Sequence, residues 1–386
     1  MNKQIKLLSV ILLCALFIMT LSSCGGTSTV DLNDYLQIIA SGYDGYGTAS
    51  YKIDYDKLYS DNVSSFGINK KSTEADIDTA KRLIRSCIEG TLDKSEKLSN
   101  GETVTFTWME TDLATLEAKY DVKLKHSAHT QQISDLMALE AFDPFDGLEV
   151  IFEGFSEQGT VQIDKHDVAD NTLNYAPSKG RNLSNGETIT IEASGLRNAD
   201  IWDYEGAKGK KPTSTTKDYT VSGLNTYIHT VEEIDTASLA EIDQQIQDTF
   251  MVHVAKNWID ANTLKDFHFV GNYVLISKDL SVRTNPNNIV YFLYQYDATT
   301  PDLVEDFTGF YYGKLSNVYL DTENNLVYSL EDIEYPTGNF RFGASGTIFT
   351  VGNYYYLGYK TYEDFVTKEI TANIDRYNYT DNVAIN

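Results

Sequence analysis

Few residues of this chain have the types and spacing that catalysis requires. The sequence contains no Gly-x-Ser-x-Gly elbow, no phosphate-binding loop and no His-Glu-x-x-His helix. Cys87 lies on the apolar stripe of a predicted helix, where a buried and inert thiol is expected. We therefore predict a protein without catalytic activity. An enzyme built on an unfamiliar cluster of carboxylates or histidines stays open as an alternative.

Two groups of residues superficially resemble metal ligands. His126 and His129 are close in sequence, but on a strand their side chains would point to opposite faces. The acidic stretch that begins at Asp321 approaches the spacing of a calcium loop, yet Leu326 stands where that loop needs glycine. We interpret this stretch as a hairpin turn between two strands. The sequence predicts neither a metal site nor a cofactor.

The many tyrosines of the chain are the feature that most directly indicates a function, which is ligand binding. The chain has 27 tyrosines, and several lie in strand-like runs such as Tyr291–Tyr296 and Tyr354–Tyr356. Exposed tyrosine rings are flat, amphipathic platforms on which sugars stack. Because a strand points Tyr355 away from its two neighbours, at least one ring should face outward, and we predict Tyr354, Tyr355 and Tyr356 as ligand-binding aromatics. The alternative is that the tyrosines fill cross-strand pairs on half-solvated sheets.

The N-terminal segment has the features of a secretory signal. Lys3 and Lys6 make its start basic, an apolar run of roughly 15 residues follows, and small residues precede a cysteine in Leu21-Ser22-Ser23-Cys24. The segment is too short for a confident membrane-spanning helix. We predict a signal peptide over 1–23. A plain secretory peptide and an uncleaved signal anchor are the alternatives.

The charge of the chain limits its partners. The formal net charge is −25, and removing the basic signal would make it more acidic. Such a chain is repelled by nucleic acid and by anionic surfaces, so we predict no nucleic-acid partner. The length of 386 residues favours two or three domains.

A degenerate repeat organises the first part of the chain. The block that begins at Leu98, Leu-Ser-Asn-Gly-Glu-Thr, returns at Leu183, and a glycine-rich turn that begins at Gly42 returns in looser form at Gly154. Each block reads as a turn followed by a strand, with Val104, Phe106 and Trp108 or Ile189, Ile191 and Ala193 facing inward.

These patterns predict a mainly-β chain with an α+β part. We expect two tandem Ig-like β-sandwich repeats, a helical connector and a Tyr-rich C-terminal α+β domain. Long apolar stripes predict one helix from about Ser72 to Gly90 and another from about Leu239 to Trp258, and a short closing helix is expected over 362–374. The predicted domains are a signal peptide (1–23), a lipid-anchored tether (24–29), a β-sandwich repeat with a helical insertion (30–139), a second repeat (140–224), and a helix with the C-terminal α+β domain (225–386).

The cysteine step together with the Gly-Tyr-Asp-Gly-Tyr-Gly and Leu-Ser-Asn-Gly-Glu-Thr blocks resembles uncharacterised surface lipoproteins of low-GC Gram-positive (Firmicutes-type) bacteria with Ig-like β repeats. The resemblance covers 1–224. It implies a lipobox, with a diacylglycerol on Cys24, and a place at the outer face of the cell membrane. Two acyl chains on one residue would anchor the chain stably. The resemblance supplies no catalytic residues.

The sequence therefore predicts a lipid-anchored extracytoplasmic protein that binds a glycan, a cell-wall component or a protein. In this interpretation the repeats act as a spacer and the C-terminal domain carries recognition. A solute-binding lipoprotein of a transporter is an alternative from another class. That alternative requires two α/β lobes with alternating strands and helices, a pattern that tandem β blocks do not match.

Overall fold

The computed structural model describes residues 28–168, 170–282, 284–301, 305–342 and 354–385. Strands make up 39% and helices 26%, and the strands form several separate sheets. The predicted mainly-β class is therefore confirmed at this coarse level. The predicted signal peptide and Cys24 lie outside the described residues. Among the described residues, none of the helices has the length and apolar character needed to cross a membrane.

The described residues fall into two compact units. One comprises 28–141 together with Trp202–Lys211, and the other comprises Phe142–Ile201 together with the chain from Pro212 onward. The short segment Trp202–Lys211 therefore belongs structurally with the first repeat, although it lies within the sequence of the second.

The first repeat combines strands with three helices. Its elements are β1 (Ser28–Asp31), β2 (Leu36–Ser41), β3 (Thr48–Ile53), α1 (Tyr55–Asp61), α2 (Glu74–Cys87), β4 (Gly90–Leu92), β5 (Thr103–Trp108), α3 (Glu110–Tyr120), β6 (Val122–Lys125) and β7 (His129–Gln132). β2 pairs with β3, β5 lies between β4 and β7, and β1 runs parallel to β6. Residues from these sheets and helices share one buried core.

α2 is the first helix that the apolar spacing predicts. Thr73 closes a capping box with Asp76, because each side chain accepts a hydrogen bond from the other's backbone N–H, at 3.3 and 2.9 Å. Ala80, Ile84 and Cys87 are buried on its inner face. The predicted helix and the predicted burial of the Cys87 thiol are both confirmed.

Two other helices of this unit were not predicted. α3 begins after Met109 without a side-chain cap and buries only Leu113 and Leu116. Its apolar stripe is therefore too short to give a helical period in the sequence. α1 is only seven residues long and has the same limitation.

The second repeat is formed by two three-stranded sheets. The elements from residue 140 to 220 are β8 (Glu140–Phe142), β9 (Glu149–Glu153), β10 (Gly159–Asp164), β11 (Asn174–Pro177), β12 (Arg181–Leu183), β13 (Thr188–Ser194), α4 (Ile201–Gly206), β14 (Lys210–Pro212) and β15 (Thr216–Thr220). One sheet has the order β9-β10-β12 and the other β11-β13-β15. Phe152 and Val161 of the first sheet pack with Ile189 of the second in a shared apolar cluster.

The two Leu-Ser-Asn-Gly-Glu-Thr blocks make the same hydrogen bonds in both copies. The amide of Asn100 donates to the carbonyl of Leu136 at 3.0 Å and accepts the N–H of the same residue at 3.0 Å. Asn185 makes the identical pair with Leu224, at 2.7 and 3.1 Å. The repeat seen in the sequence is thus a repeat of specific contacts.

Two further contacts of the block recur. Glu102 accepts the N–H of Ser99 and forms an ion pair with Lys94, and Glu187 does the same with Ser184 and Lys179. The glycine that ends the earlier turn also has one role in both copies. A Cβ on Gly47 would come within 2.6 Å of Leu136, and one on Gly159 within 2.5 Å of Leu224. A side chain at either position would therefore collide with the core.

The C-terminal part contains the longest elements. They are β16 (Thr226–Tyr227), α5 (Thr236–Asn257), β17 (Leu264–Ser277), β18 (Asn288–Thr299), β19 (Asp306–Ser316), β20 (Tyr319–Leu320), β21 (Leu326–Val327), β22 (Asn339–Phe342), β23 (Tyr354–Leu357), α6 (Tyr362–Phe365) and β24 (Tyr377–Asp381). β19-β18-β17-β24 form an antiparallel sheet, while β16-β20-β21 and β22-β23 form smaller ones. The predicted second long helix is confirmed as α5, and β20 and β21 form the predicted hairpin after Asp321.

Both faces of the four-stranded sheet are covered. α5 buries Ile242, Ile246 and Phe250 against one face. Phe365 of α6 and Ile370 of the following π-helical turn (Val366–Ile370) pack on the other. The predicted closing helix is therefore present, but it is a composite of α6, this π turn and a 3₁₀ turn at Thr371–Asn373.

The central strand β18 explains much of the tyrosine content. Tyr291 and Leu293 face the α6 side, whereas Phe292, Tyr294 and Tyr296 face α5. All five are buried. In this run the cross-strand packing interpretation of the tyrosines holds, and these rings build the core of the domain.

Candidate ligand-binding cleft

The Tyr354–Tyr356 run forms strand β23, paired antiparallel with β22. Tyr354 is 6% exposed and Tyr356 is 4% exposed, whereas Tyr355 between them is 64% exposed. The alternation expected for a strand is confirmed. Arg341 is the cross-strand partner of Tyr355 and is also exposed, so an aromatic ring and a guanidinium occupy the outer face of the hairpin.

The two inward tyrosines belong to the core. The ring of Tyr356 lies 4.9 Å from that of Trp258, in an edge-to-face arrangement, and 4.4 Å from that of Phe307. Burial raises the pKa of Tyr356 above its ordinary value. Of the three predicted aromatics, Tyr355 is thus the one whose ring is open to a ligand, while Tyr354 and Tyr356 fix its position.

A cleft of about 220 Å³ opens beside Tyr355. It lies between β23 and the segment that follows α5. Its lining residues are Asn257, Trp258, Ile259, Thr263, Pro301, Tyr354, Tyr355 and Tyr356. Among the described lining residues no side chain carries a charge, so this part of the cleft suits a neutral group with both apolar and hydroxyl surfaces.

The end of α5 determines the far wall of this cleft. The helix ends at Trp258, whose N–H bonds to the carbonyl of Val254, and Asp260 then caps a 3₁₀ turn at Ala261–Thr263. Between these two caps Ile259 is held outward and is 78% exposed. An apolar side chain at that exposure extends the apolar surface around Tyr355.

Polar groups are placed within the same wall. The Asn257 amide donates to the carbonyl of His253 at 2.9 Å, and the Thr263 hydroxyl donates to that of Asp260 at 2.6 Å. Both keep oxygen lone pairs for a further hydrogen bond. The indole N–H of Trp258 is enclosed and has no hydrogen-bond partner among the described residues. An unsatisfied buried donor of this kind is uncommon outside functional or strained sites.

The sequence did not identify this far wall. Trp258 could be read only as the last residue of the apolar stripe of α5. Ile259 carried the one available signal, because it is apolar immediately after the helix and directly before the polar cap at Asp260. Roughly 100 residues separate this wall from Tyr355, so their proximity depends on the tertiary fold.

Tyr43 and Tyr46, in the glycine-rich turn of the first repeat, are packed against protein. Gly206 lies so close to Tyr46 that an added Cβ would come within 2.1 Å of its ring, and Gly209 lies similarly close to Tyr43. The Tyr46 hydroxyl also donates to the carbonyl of Trp202 at 2.7 Å. The glycine-rich turn of the first repeat is therefore a packing surface for Trp202–Lys211.

Within the described residues, no group of three or more His, Cys, Asp or Glu side chains is arranged to hold a metal ion. The Asp321 carboxylate accepts the backbone N–H groups of Glu323 and Asn325, at 2.8 and 2.9 Å, which is the hydrogen bonding of a turn.

Comparison with known proteins gives no match: no protein-family model, no curated protein and no solved structure resembles the chain significantly.

Proposed function

We propose that this protein is a lipid-anchored, extracytoplasmic surface protein that binds a glycan or cell-wall component without catalysis. The signal-like segment and Cys24 support the anchor, as does the resemblance to surface lipoproteins of low-GC Gram-positive bacteria. The acidic composition supports a partner other than nucleic acid.

The observation that carries the binding proposal is the exposed ring of Tyr355 at the edge of an aromatic cleft whose described lining residues carry no charge. Sugar rings present apolar C–H faces and hydroxyl edges. An exposed tyrosine offers a stacking face to the first, and the lone pairs of Asn257 and Thr263 offer acceptors to the second. At about 220 Å³ the cleft suits one unit of a longer chain better than a whole drug-sized ligand.

The tandem repeats fit the role of Ig-like modules. The second repeat has two three-stranded sheets around one apolar cluster, and the first repeat shares its Asn-centred hydrogen bonds. A solute-binding lipoprotein is less well supported, because the four-stranded sheet of the C-terminal part is antiparallel rather than built from α/β lobes.

Replacing Tyr355 with alanine tests the binding site. We expect this substitution to weaken binding to the glycan that the wild-type chain binds by about 2 kcal/mol, or roughly thirtyfold in Kd, because it removes the exposed aromatic ring on which the sugar stacks. The Kd is measured by calorimetry on the chain from Gly25 onward. Tyr379→Ala, which removes an exposed tyrosine of β24 outside the cleft, is the matched control and should bind as wild type. A Tyr355→Ala Kd within twofold of wild type would contradict the assignment.

Replacing Cys24 with alanine tests the anchor. Without the thiol no diacylglycerol can be attached, so we expect the protein to move from the membrane fraction to the soluble or secreted fraction and to lose incorporation of labelled fatty acid. Cys87→Ala is the control, since that thiol is buried and should not be acylated. Unchanged membrane retention of the Cys24 variant would reject a lipid anchor at this residue.

A further inference from the structure

A second cleft, which we call the lysine cleft, lies on the same hairpin as the aromatic one. It has a volume of about 310 Å³. Its lining residues include Thr337, Gly338, Asn339, Lys360, Asp364 and Lys368. Phe340 of this lining is the cross-strand partner of Tyr356, which lines the aromatic cleft. One step of the β22–β23 ladder therefore contributes to both clefts.

The lysine cleft is cationic in a strongly acidic chain. The Lys360 ammonium lies 5.3 Å from the ring centroid of Phe342, and the Lys368 ammonium lies 5.3 Å from that of Tyr359. Neither ammonium group forms an ion pair or a hydrogen bond with any other described residue. Asp364 is the one acid in the described lining, so two unpaired cations outweigh it.

Gly358 and Tyr359, which line the lysine cleft, are held against β19 by hydrogen bonds and close packing. Tyr359 pairs with Phe310 at the edge of β19 through two backbone hydrogen bonds of 2.8 and 2.9 Å. Its hydroxyl donates to the Glu369 carboxylate, which also accepts the hydroxyl of Tyr291 at 2.8 Å. Gly358 has φ +107°, and a Cβ there would come within 2.1 Å of the Phe310 carbonyl. The backbone can approach β19 this closely only because the residue is glycine.

We propose that the lysine cleft binds an anionic group, a phosphate or a carboxylate, between Lys360 and Lys368. Both ammonium groups are already oriented over aromatic rings and form no ion pair with a described residue, so one ligand anion can pair with both. The exposed amide of Asn339 and hydroxyl of Thr337 add neutral donors. This inference rests on the proposed function and narrows its ligand to a polymer whose neutral ring contacts Tyr355 and whose anionic group contacts the lysines. The described lining of the lysine cleft carries a local positive charge, although the chain as a whole is acidic.

The test compares three oligomers of equal length: a glycerol phosphate oligomer, a galacturonate oligomer and a neutral glucan. Their Kd values are measured for the wild-type chain and for the Lys360→Gln/Lys368→Gln double variant. We expect at least one anionic oligomer to bind ten times or more tightly than the glucan, and the double variant to lose that preference. Which anionic oligomer is preferred distinguishes a phosphate ligand from a carboxylate ligand.

Two further variants separate binding in the lysine cleft from the effect of the net charge of the protein. Lys52→Gln/Lys70→Gln changes the net charge equally at exposed positions outside both clefts and should keep the preference. Gly338→Trp should abolish it with both lysines intact, because Gly338 lines the lysine cleft and no atom of the described residues lies within 4 Å of its Cβ position, which leaves room for a bulky side chain to block the site.

An unchanged preference in Lys360→Gln/Lys368→Gln would overturn the lysine cleft. If Tyr355→Ala still weakened binding while the lysine variant kept its preference, the proposed function would survive without the lysine cleft. If neither anionic oligomer bound the protein more tightly than the glucan did, the proposal of an anionic ligand would be rejected. If Tyr355→Ala bound every oligomer with the wild-type Kd, the aromatic cleft would be rejected as the binding site, and with it the proposed function.

Discussion

Substitution of Glu369 by alanine is expected to destabilise the C-terminal domain by about 4 kcal/mol. The Glu369 carboxylate accepts hydrogen bonds from the hydroxyls of Tyr291, Tyr312 and Tyr359, at 2.8 Å for the first and 3.5 Å for the second. Removing it leaves these hydroxyls, which lie beside the α6-side core, without their acceptor. Each donor stranded in this way costs about 1–3 kcal/mol. With a total stability of about 5–15 kcal/mol, the loss is large.

The measurement is the free energy of unfolding in urea, followed by near-ultraviolet circular dichroism. Glu363→Ala is the matched control, because this exposed glutamate lies in α6 and should change stability by less than about 0.5 kcal/mol. Glu369→Gln keeps one acceptor oxygen and should fall between the two. A loss below about 1 kcal/mol for Glu369→Ala would show that the tyrosine hydroxyls do not depend on this carboxylate.

The same domain is expected to lose stability steeply above pH 10. Burial is the main cause that raises the pKa of at least six core tyrosines above their ordinary value of 10.0, and nearby acids such as Glu369 and Asp243 add to the shift for some of them. These residues include Tyr273, Tyr291, Tyr294, Tyr296, Tyr311 and Tyr312.

The sign of the effect follows from proton linkage. A tyrosine with a raised folded pKa stays protonated in the native state while the unfolded chain ionises. Its stabilisation is therefore fully present below pH 10 and is lost as pH rises above it. Each such tyrosine lowers the free energy of unfolding by about 1.4 kcal/mol per pH unit in that range. Six together should unfold the domain within about one to two pH units.

Tyrosinate absorbance and circular dichroism recorded together between pH 9 and 12 test this prediction. We expect a late group of tyrosines to ionise in one cooperative step that coincides with loss of near-ultraviolet signal. The urea-unfolded chain serves as the control and should titrate near pH 10 without such a step. Ionisation of all tyrosines near pH 10 while the native signal persists would contradict the assignment of these residues to the core.

The repeat is the part of the fold that the sequence predicts best. Its turns need glycine, and its Asn side chains form hydrogen bonds with the backbone. The same residue types therefore recur wherever the same contacts recur. Asn100 and Asn185 demonstrate this with nearly equal distances. The Trp202–Lys211 segment could not be assigned in this way, because its contacts with Tyr43 and Tyr46 lie more than 150 residues away in sequence.

The tyrosine-rich region was predictable only in part. Strand alternation was enough to separate Tyr355 from Tyr354 and Tyr356. It could not separate the residues of β18, because helices cover both faces of that strand and inward and outward positions are equally buried. The second helical layer is short and composite, so its amphipathic pattern gave no indication of which sheet face it covers.

The aromatic cleft was the least predictable feature. Its two walls come from the end of α5 and from β23, and neither carries a motif that points to the other. The lysine cleft is similar, since Lys360 and Lys368 are ordinary surface residues in the sequence and become notable only because they share a cavity.

The most direct test of the central claim is retention of the chain from Gly25 onward on insoluble peptidoglycan, purified wall polymers and a panel of glycans. We expect saturable retention on at least one of them, and we expect Tyr355→Ala to reduce it strongly while the circular dichroism spectrum stays native. The triple alanine variant of Tyr354–Tyr356 is unsuitable, because two of these rings are in the core. Absence of retention on every material, or retention that Tyr355→Ala leaves intact, would contradict the claim that this cleft binds a glycan or wall component.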